Sequence, residues 1–272
     1  MADLRSGGRI LIDNLVAQGC DRIFSVPGES FLPALDALLD TPQIEFVICR
    51  QEGGVGYAAE ADGKLTGRPG VAFVTRGPGA TNAAIGVHAA MQDSTPMILL
   101  IGDVGRDVRD REVFQEVDFV AMFRPLAKWA ARIDDARRLP EYIARAYSTA
   151  MAGRPGPVVL ALPEDVLSDE VEAIDRPQVK PPVQPACAMA TTTLMGLLND
   201  AAAPVAIVGG AGWDAAAAHH FTEFAERIGL PVATAFRRQD AIPSSSAVYA
   251  GNLGYGPNPK LVERIKQADL LL

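Results

Sequence analysis

The chain has 272 residues, of which 49% are hydrophobic and 21% charged, with a formal net charge of −8. That length exceeds the usual single domain, and the composition excludes a disordered or fibrous chain. The acidic balance counts against nucleic acid as a partner, because phosphate binding needs a basic face.

The residues from Met1 to Gly8 lack the apolar core of a signal peptide. No apolar run reaches the roughly 20 residues that cross a bilayer, so no membrane association is expected. Cys20, Cys49 and Cys187 match no metal spacing and suit a reducing compartment. The expected location is the cytoplasm.

Between Gly8 and about Val166, short apolar runs alternate with helical patterns. Ile10, Leu11, Leu15 and Val16 share one face of a first helix that Gly19 can end. Arg22 to Val26 reads as a strand, Pro27-Gly28 as a sharp turn, and Glu29 to Leu39 as a helix. Ile44 to Cys49 is the next strand, followed by a small-residue helix from Glu52 to about Leu65. The strand Val71 to Thr75, the helix Ala80 to Met91, the strand Met97 to Ile101, the helix Leu139 to Met151 and the strand Val158 to Leu162 complete the region. Doubly buried strands separated by helices predict a doubly wound, parallel α/β sheet, with ligands at the carboxyl ends of its strands.

From Asp175 to Pro185 the sequence is proline-rich and aperiodic, which predicts an extended linker. A second, Rossmann-like α/β pattern follows, with a helix from about Thr191, strands at Pro204–Val208 and Pro231–Thr234, and a helix through Arg227 between them. Ala268 to Leu272 reads as the opening of a buried strand, so the second domain is expected to be incomplete. The expected division is a first domain over 1–172, a linker over 173–189, and a truncated second domain over 190–272.

The stretch from Arg50 to Asn82 carries the most chemistry. Glu52 stands at a strand end and a helix start, where a helix dipole stabilises a carboxylate. Gly53, Gly54, Gly56, Ala58 and Ala59 leave room for a close backbone or a flat ring. Gly77-Pro78-Gly79 makes a second tight loop at a strand end, and Thr81 and Asn82 can cap the helix after it. Taken alone, Glu52 need only charge the first turn of its helix, and the glycine loop is ordinary turn chemistry. His88, His219 and His220 match no metal motif. No G-x-G-x-x-G follows a strand, which argues against a dinucleotide-binding protein.

Six segments occur together in a characteristic order: Val26-Pro27-Gly28-Glu29, Arg50-Gln51-Glu52, Gly67 to Val71, Thr75 to Asn82, Phe114-Gln115-Glu116 and Gly153 to Pro157. In order and spacing they resemble the acetolactate synthase family of thiamine diphosphate (ThDP) enzymes, closely from Arg5 to Val166 and loosely beyond. The resemblance implies that residues 1–172 are a ThDP pyrimidine-binding domain and that 190–272 belong to a central domain. It implies that Glu52 hydrogen-bonds the aminopyrimidine ring and drives the proton transfer that activates the cofactor. Pro27, Gly28, Gly77, Pro78, Gly79 and Asn82 then border the pyrimidine, and Phe114 and Gln115 border the substrate. Arg154 stands where these enzymes have an arginine that contacts FAD.

Three departures qualify that likeness. Gly102-Asp103-Val104 replaces Gly-Gln-Val, placing an acid where the family has an amide. Leu253-Gly254-Tyr255-Gly256 lacks the histidine of the family's Leu-Gly-Met-His-Gly loop, which counts against FAD. The Gly-Asp-Gly motif that holds Mg²⁺ and the diphosphate is not found, so that site is expected in a missing domain or a separate chain. The implied function is decarboxylation and carboligation of a 2-keto acid, in a homodimer or homotetramer whose sites form between subunits. Alternatives are a decarboxylase or aldehyde lyase on the same scaffold, or a noncatalytic module that kept the fold.

Overall fold

The computed structural model describes residues 4–180 and 187–272, which divide between two compact units. The first unit opens with strand β1 (Leu4–Ser6) and helix α1 (Gly7–Ala17), whose amino end is capped by the Ser6 hydroxyl accepting from Arg9 N. Then come β2 (Arg22–Ser25), a 3₁₀ turn over Glu29–Phe31, α2 (Leu32–Leu39), β3 (Glu45–Ile48), α3 (Glu52–Thr66), β4 (Gly70–Val74), α4 (Pro78–Asp93) and β5 (Met97–Asp103). The unit continues with α5 (Phe119–Phe123), β6 (Trp129–Arg132), α6 (Leu139–Met151), β7 (Pro157–Pro163), α7 (Glu164–Ser168) and β8 (Glu170–Glu172).

Six of these strands form one sheet in the order β3-β2-β4-β5-β7-β6, and every pairing is parallel. Every residue of β4, β5 and β7 is buried, which explains their unbroken apolar runs. Alternate residues serve opposite faces. Val71, Phe73, Ile98 and Leu100 pack with α1, α2 and α6, while Ala72, Val74, Leu99 and Ile101 pack with α3, α4 and α5. This is the doubly wound parallel sheet that the sequence predicts. Strands β1 and β8 form a separate antiparallel pair.

Two local expectations change. The helix predicted from Glu29 to Leu39 is broken at Phe31, whose φ of −138° is not helical. Phe31 stacks on Phe73 with ring centroids 4.0 Å apart, so the aromatic contact pins the turn to β4. The first part of the predicted linker is docked rather than free. Asp175 accepts from Arg5 and Asn14, and Val179 N donates to Gln18 Oε1 at 2.9 Å. The later linker residues 181–186 lie outside the described residues.

The second unit contains α8 (Ala188–Asp200), β9 (Pro204–Val208), α9 (Ala215–Ile228), β10 (Val232–Thr234), β11 (Tyr249–Asn252), α10 (Pro259–Lys266) and β12 (Leu270–Leu271). Its four strands form a parallel sheet in the order β11-β10-β9-β12 around a core that includes Val208, Ala225 and Val232.

Candidate cofactor site

Helices α3 and α4 touch through two glycines. A Cβ on Gly86 would stand 2.3 Å from the carbonyl carbon of Gly56 and 2.5 Å from its Cα, far inside van der Waals contact. Only glycine at both positions lets these backbones meet. One turn back on each helix stand Glu52 and Asn82, brought together by the same contact. Asn82 Nδ2 donates to Glu52 Oε2 at 3.0 Å. Glu52 Oε1 has no hydrogen-bond partner among the described residues, and the side chain is half-buried. Gln51 caps α3 by accepting from Gly54 N, which leaves Glu52 as the acid of the first turn, where the dipole favours its charge.

Thr75, just after β4, joins the two glycine-bearing loops. A Cβ on Gly28 would lie 2.6 Å from Thr75 Cβ, and one on Gly79 would lie 2.9 Å from Thr75 Cγ2. The Thr75 and Ser30 hydroxyls share a hydrogen bond of 2.8 Å. From Gly79 the would-be Cβ is 3.7 Å from Glu52 Oε1, so this loop borders the carboxylate. Gly77 has φ 44° and ψ −101°, a conformation reserved for glycine, and its position abuts the Gln115 carbonyl. Glu52, Gly77, Gly79, Asn82 and Gln115 are thus drawn together at the carboxyl edge of the sheet. Gly28 joins them through Thr75, with Pro27 and Pro78 exposed beside their glycines.

Phe114 is 71% exposed on the loop before α5, and its neighbour Gln115 has φ 63°. Glu116 holds this loop by accepting from Asp110 N at 2.7 Å and Val113 N at 3.0 Å. Those two backbone donors hold its carboxyl below the usual glutamate range. Within the charged run Arg106 to Glu112, Arg106 is tied to Asp165 and Asp169, both at 2.7 Å.

Asp103, the departure noted in the sequence, is buried at the end of β5. It accepts from Val104 N at 2.8 Å and pairs with Arg132 at 3.0 Å. Burial pushes its carboxyl above the ordinary aspartate range, and Arg132 offsets part of that rise. The pair lines a cavity of about 300 Å³ with Arg109 and Glu116.

The structure does not bring Arg154 to this group. Its Nε donates to Ser94 Oγ at 2.8 Å and its Nη2 to Met91 O at 2.8 Å, so it clamps the carboxyl end of α4, opposite the end that carries Asn82. Residue-by-residue reading missed the parts played by Gln51, Ser30, Thr75 and Arg76. Thr75 and Arg76 stand inside a quoted motif, but only the fold shows what they touch.

The sequence model described as "Thiamine pyrophosphate enzyme, N-terminal TPP binding domain" matches residues 5–122, and "Thiamine pyrophosphate enzyme, central domain" matches residues 191–272. The acetolactate synthase large subunit of Corynebacterium glutamicum is 31% identical over 271 residues, covering 98% of this chain and 43% of its own length. That of Lactococcus lactis is 34% identical over 266 residues, covering 95% of this chain and 46% of its own. The mitochondrial acetolactate synthase catalytic subunit of Aspergillus candidus is 40% identical over 162 residues, 60% of this chain and 23% of its own. The chain therefore spans less than half the length of these relatives. With both domain models matched in order on a fold of the expected architecture, the chain belongs to the thiamine pyrophosphate enzyme family.

Proposed function

We propose that this chain supplies the pyrimidine-activating part of a ThDP site. The whole protein then decarboxylates a 2-keto acid and joins the remaining fragment to a carbonyl acceptor, in the manner of the acetolactate synthases it resembles. The carrying observation is the Glu52 carboxylate, held by Asn82 on one oxygen and open on the other, beside a loop whose glycines pack tightly against Thr75 and Gln115 and border that open oxygen.

Those residues fit the pyrimidine end of ThDP. When bound, the cofactor supplies the carbon nucleophile and electron sink that loss of carbon dioxide requires. Glu52 would hold the pyrimidine end and give or take a proton at Oε1, the oxygen that Asn82 leaves open while it fixes Oε2. Pro27, Gly28, Gly77, Pro78 and Gly79 would border the ring. Phe114 and Gln115 form the substrate side, with Gln115 seated against Gly77.

Mg²⁺ and the diphosphate belong to a region outside this sequence, supplied across a subunit boundary, which makes a homodimer the minimum working assembly. Arg154, the residue assigned to FAD, is exposed and bonds the carboxyl end of α4, which adds no support for FAD, and no step is routed through it. Cys20, Cys49 and Cys187 are all free thiols, which supports a reducing cytoplasm. No helix among the described residues is long and apolar enough to cross a membrane.

The test is carbon dioxide release by the complete protein from a panel of 2-keto acids, with ThDP and Mg²⁺. Turnover should depend on ThDP, and Glu52→Gln should lower it about 100-fold or more. Full turnover by that variant would refute the assignment.

A further inference from the structure

Arg76 is a buried cation among the loops of this site. It directly follows Thr75 beyond β4, and only 9% of its surface is exposed. Its Nη2 donates to Glu29 Oε1 at 3.3 Å and its Nη1 to Glu164 Oε2 at 3.0 Å, while its Nε is buried without a hydrogen-bond partner. Glu29 follows Gly28, in the loop after the neighbouring strand β2. Glu164 opens α7 after β7, which lies beyond β5 in the sheet. One side chain therefore joins loops that leave three strands.

Removing a guanidinium from water is costly unless its charge is met, so Arg76 must keep both carboxylates. The carboxylates have no such need, since Glu29 is 72% and Glu164 is 46% exposed in their side chains. The arrangement thus makes the arginine the fixed point and the loops the parts it holds. Glu29 is one residue from Gly28, and Arg76 is one residue from Gly77. Those glycines lie in the two walls of the proposed pyrimidine pocket.

We infer that Arg76 is a positioning residue: it sets the spacing of the Pro27–Gly28 turn and the Gly77–Gly79 loop and braces both against Glu164 at the end of β7. The inference rests on the ThDP reading above. The fold has other local ties, because Phe31 stacks on Phe73 and Ser30 bonds Thr75 without any help from Arg76. Loss of Arg76 should therefore be read in cofactor affinity rather than in unfolding.

The experiment is calorimetric titration of ThDP, with Mg²⁺ present, into the complete protein and its Arg76→Gln, Arg76→Lys and Glu164→Gln variants. Arg76→Gln should weaken ThDP binding about tenfold through lost preorganisation, with kcat at saturating cofactor falling less than the affinity. Arg76→Lys should recover part of the loss, because an ammonium is a point charge without the fork that meets two carboxylates at once. Glu164→Gln keeps an oxygen acceptor for Arg76 on a half-exposed side chain, and should weaken binding about threefold by removing the charge from one hydrogen bond. Unchanged affinity in both Arg76→Gln and Glu164→Gln would overturn the inference. If Arg76→Gln does not fold, Glu164→Gln decides by itself. Failure of the unsubstituted protein to bind ThDP would overturn the functional reading and this inference together.

Discussion

Asn82 Nδ2 and Glu52 Oε2 lie 3.0 Å apart because, one turn further along the same two helices, Gly86 and Gly56 meet backbone to backbone. The proposed catalytic pairing is thus set by a packing contact that carries no chemistry of its own. Two helices crossing at small residues thereby bring an acid and an amide at their amino ends within hydrogen-bond reach.

Gly86→Ala tests that dependence. Its methyl would stand within 2.6 Å of three backbone atoms of Gly56, so the helices must part. We expect a loss of about 1–3 kcal/mol in stability from overpacking, together with weaker ThDP binding as Asn82 leaves Glu52. Thermal unfolding and calorimetric titration of the same preparation check both effects.

Asp103 gives a pH prediction. Its folded carboxyl binds a proton more tightly than the unfolded chain does, because burial raises its pKa. The folded state gains from that proton at low pH, so stability falls as pH rises from the ordinary aspartate value, about 4, through the raised one. Asp103→Asn should flatten that slope and stay within about 1 kcal/mol of the parent at neutral pH, since charge burial offsets the pair. Arg132→Ala leaves the carboxylate buried and unpaired and should cost about 3 kcal/mol. Urea unfolding between pH 4 and 7 measures all three proteins.

Much of this was legible beforehand, and the limits have physical causes. The strands β4, β5 and β7 were plain because burial on both faces leaves unbroken apolar runs. Glu52, Gly77, Gly79 and Asn82, which the fold draws together, were singled out through motif resemblance; periodicity by itself gave Glu52 only a place at a helix start. Strand β6, Trp-Ala-Ala-Arg, was missed because it is a short edge strand of partly buried residues with little alternation. The contacts of Arg76 were hidden for another reason. Its partners Glu29 and Glu164 are 47 and 88 residues away, and only the strand order brings them together. Arg154 shows a different limit: the motif suggested a cofactor contact, and the fold adds bonds from its side chain to the end of a helix.

Arg154→Ala should lower stability by about 1 kcal/mol through the lost bonds to Met91 and Ser94. ThDP affinity should not change, because those bonds lie at the end of α4 away from Asn82. A selective loss of ThDP binding would show that Arg154 supports the pyrimidine site as well.

Glu116 holds a loop in which Asp110, Glu112 and Gln115 all have positive φ, a conformation that persists only when its surroundings impose it. Glu116→Ala frees the backbone donors of Asp110 and Val113. The KM for the keto acid should rise about tenfold as Gln115 loses its setting, while ThDP affinity is unchanged. Steady-state kinetics with cofactor and substrate varied separately distinguish the two.

The most direct test of the account follows the proton that Glu52 is proposed to move. In the complete protein with ThDP and Mg²⁺ bound, quenched-flow NMR reports how fast the thiazolium C2 proton exchanges with deuterium. Glu52→Gln should still bind the cofactor, yet exchange should slow about 100-fold or more, because the amide cannot relay a proton. Exchange at the parent rate in that variant, with cofactor bound, would contradict the assignment of Glu52 as the activating carboxylate.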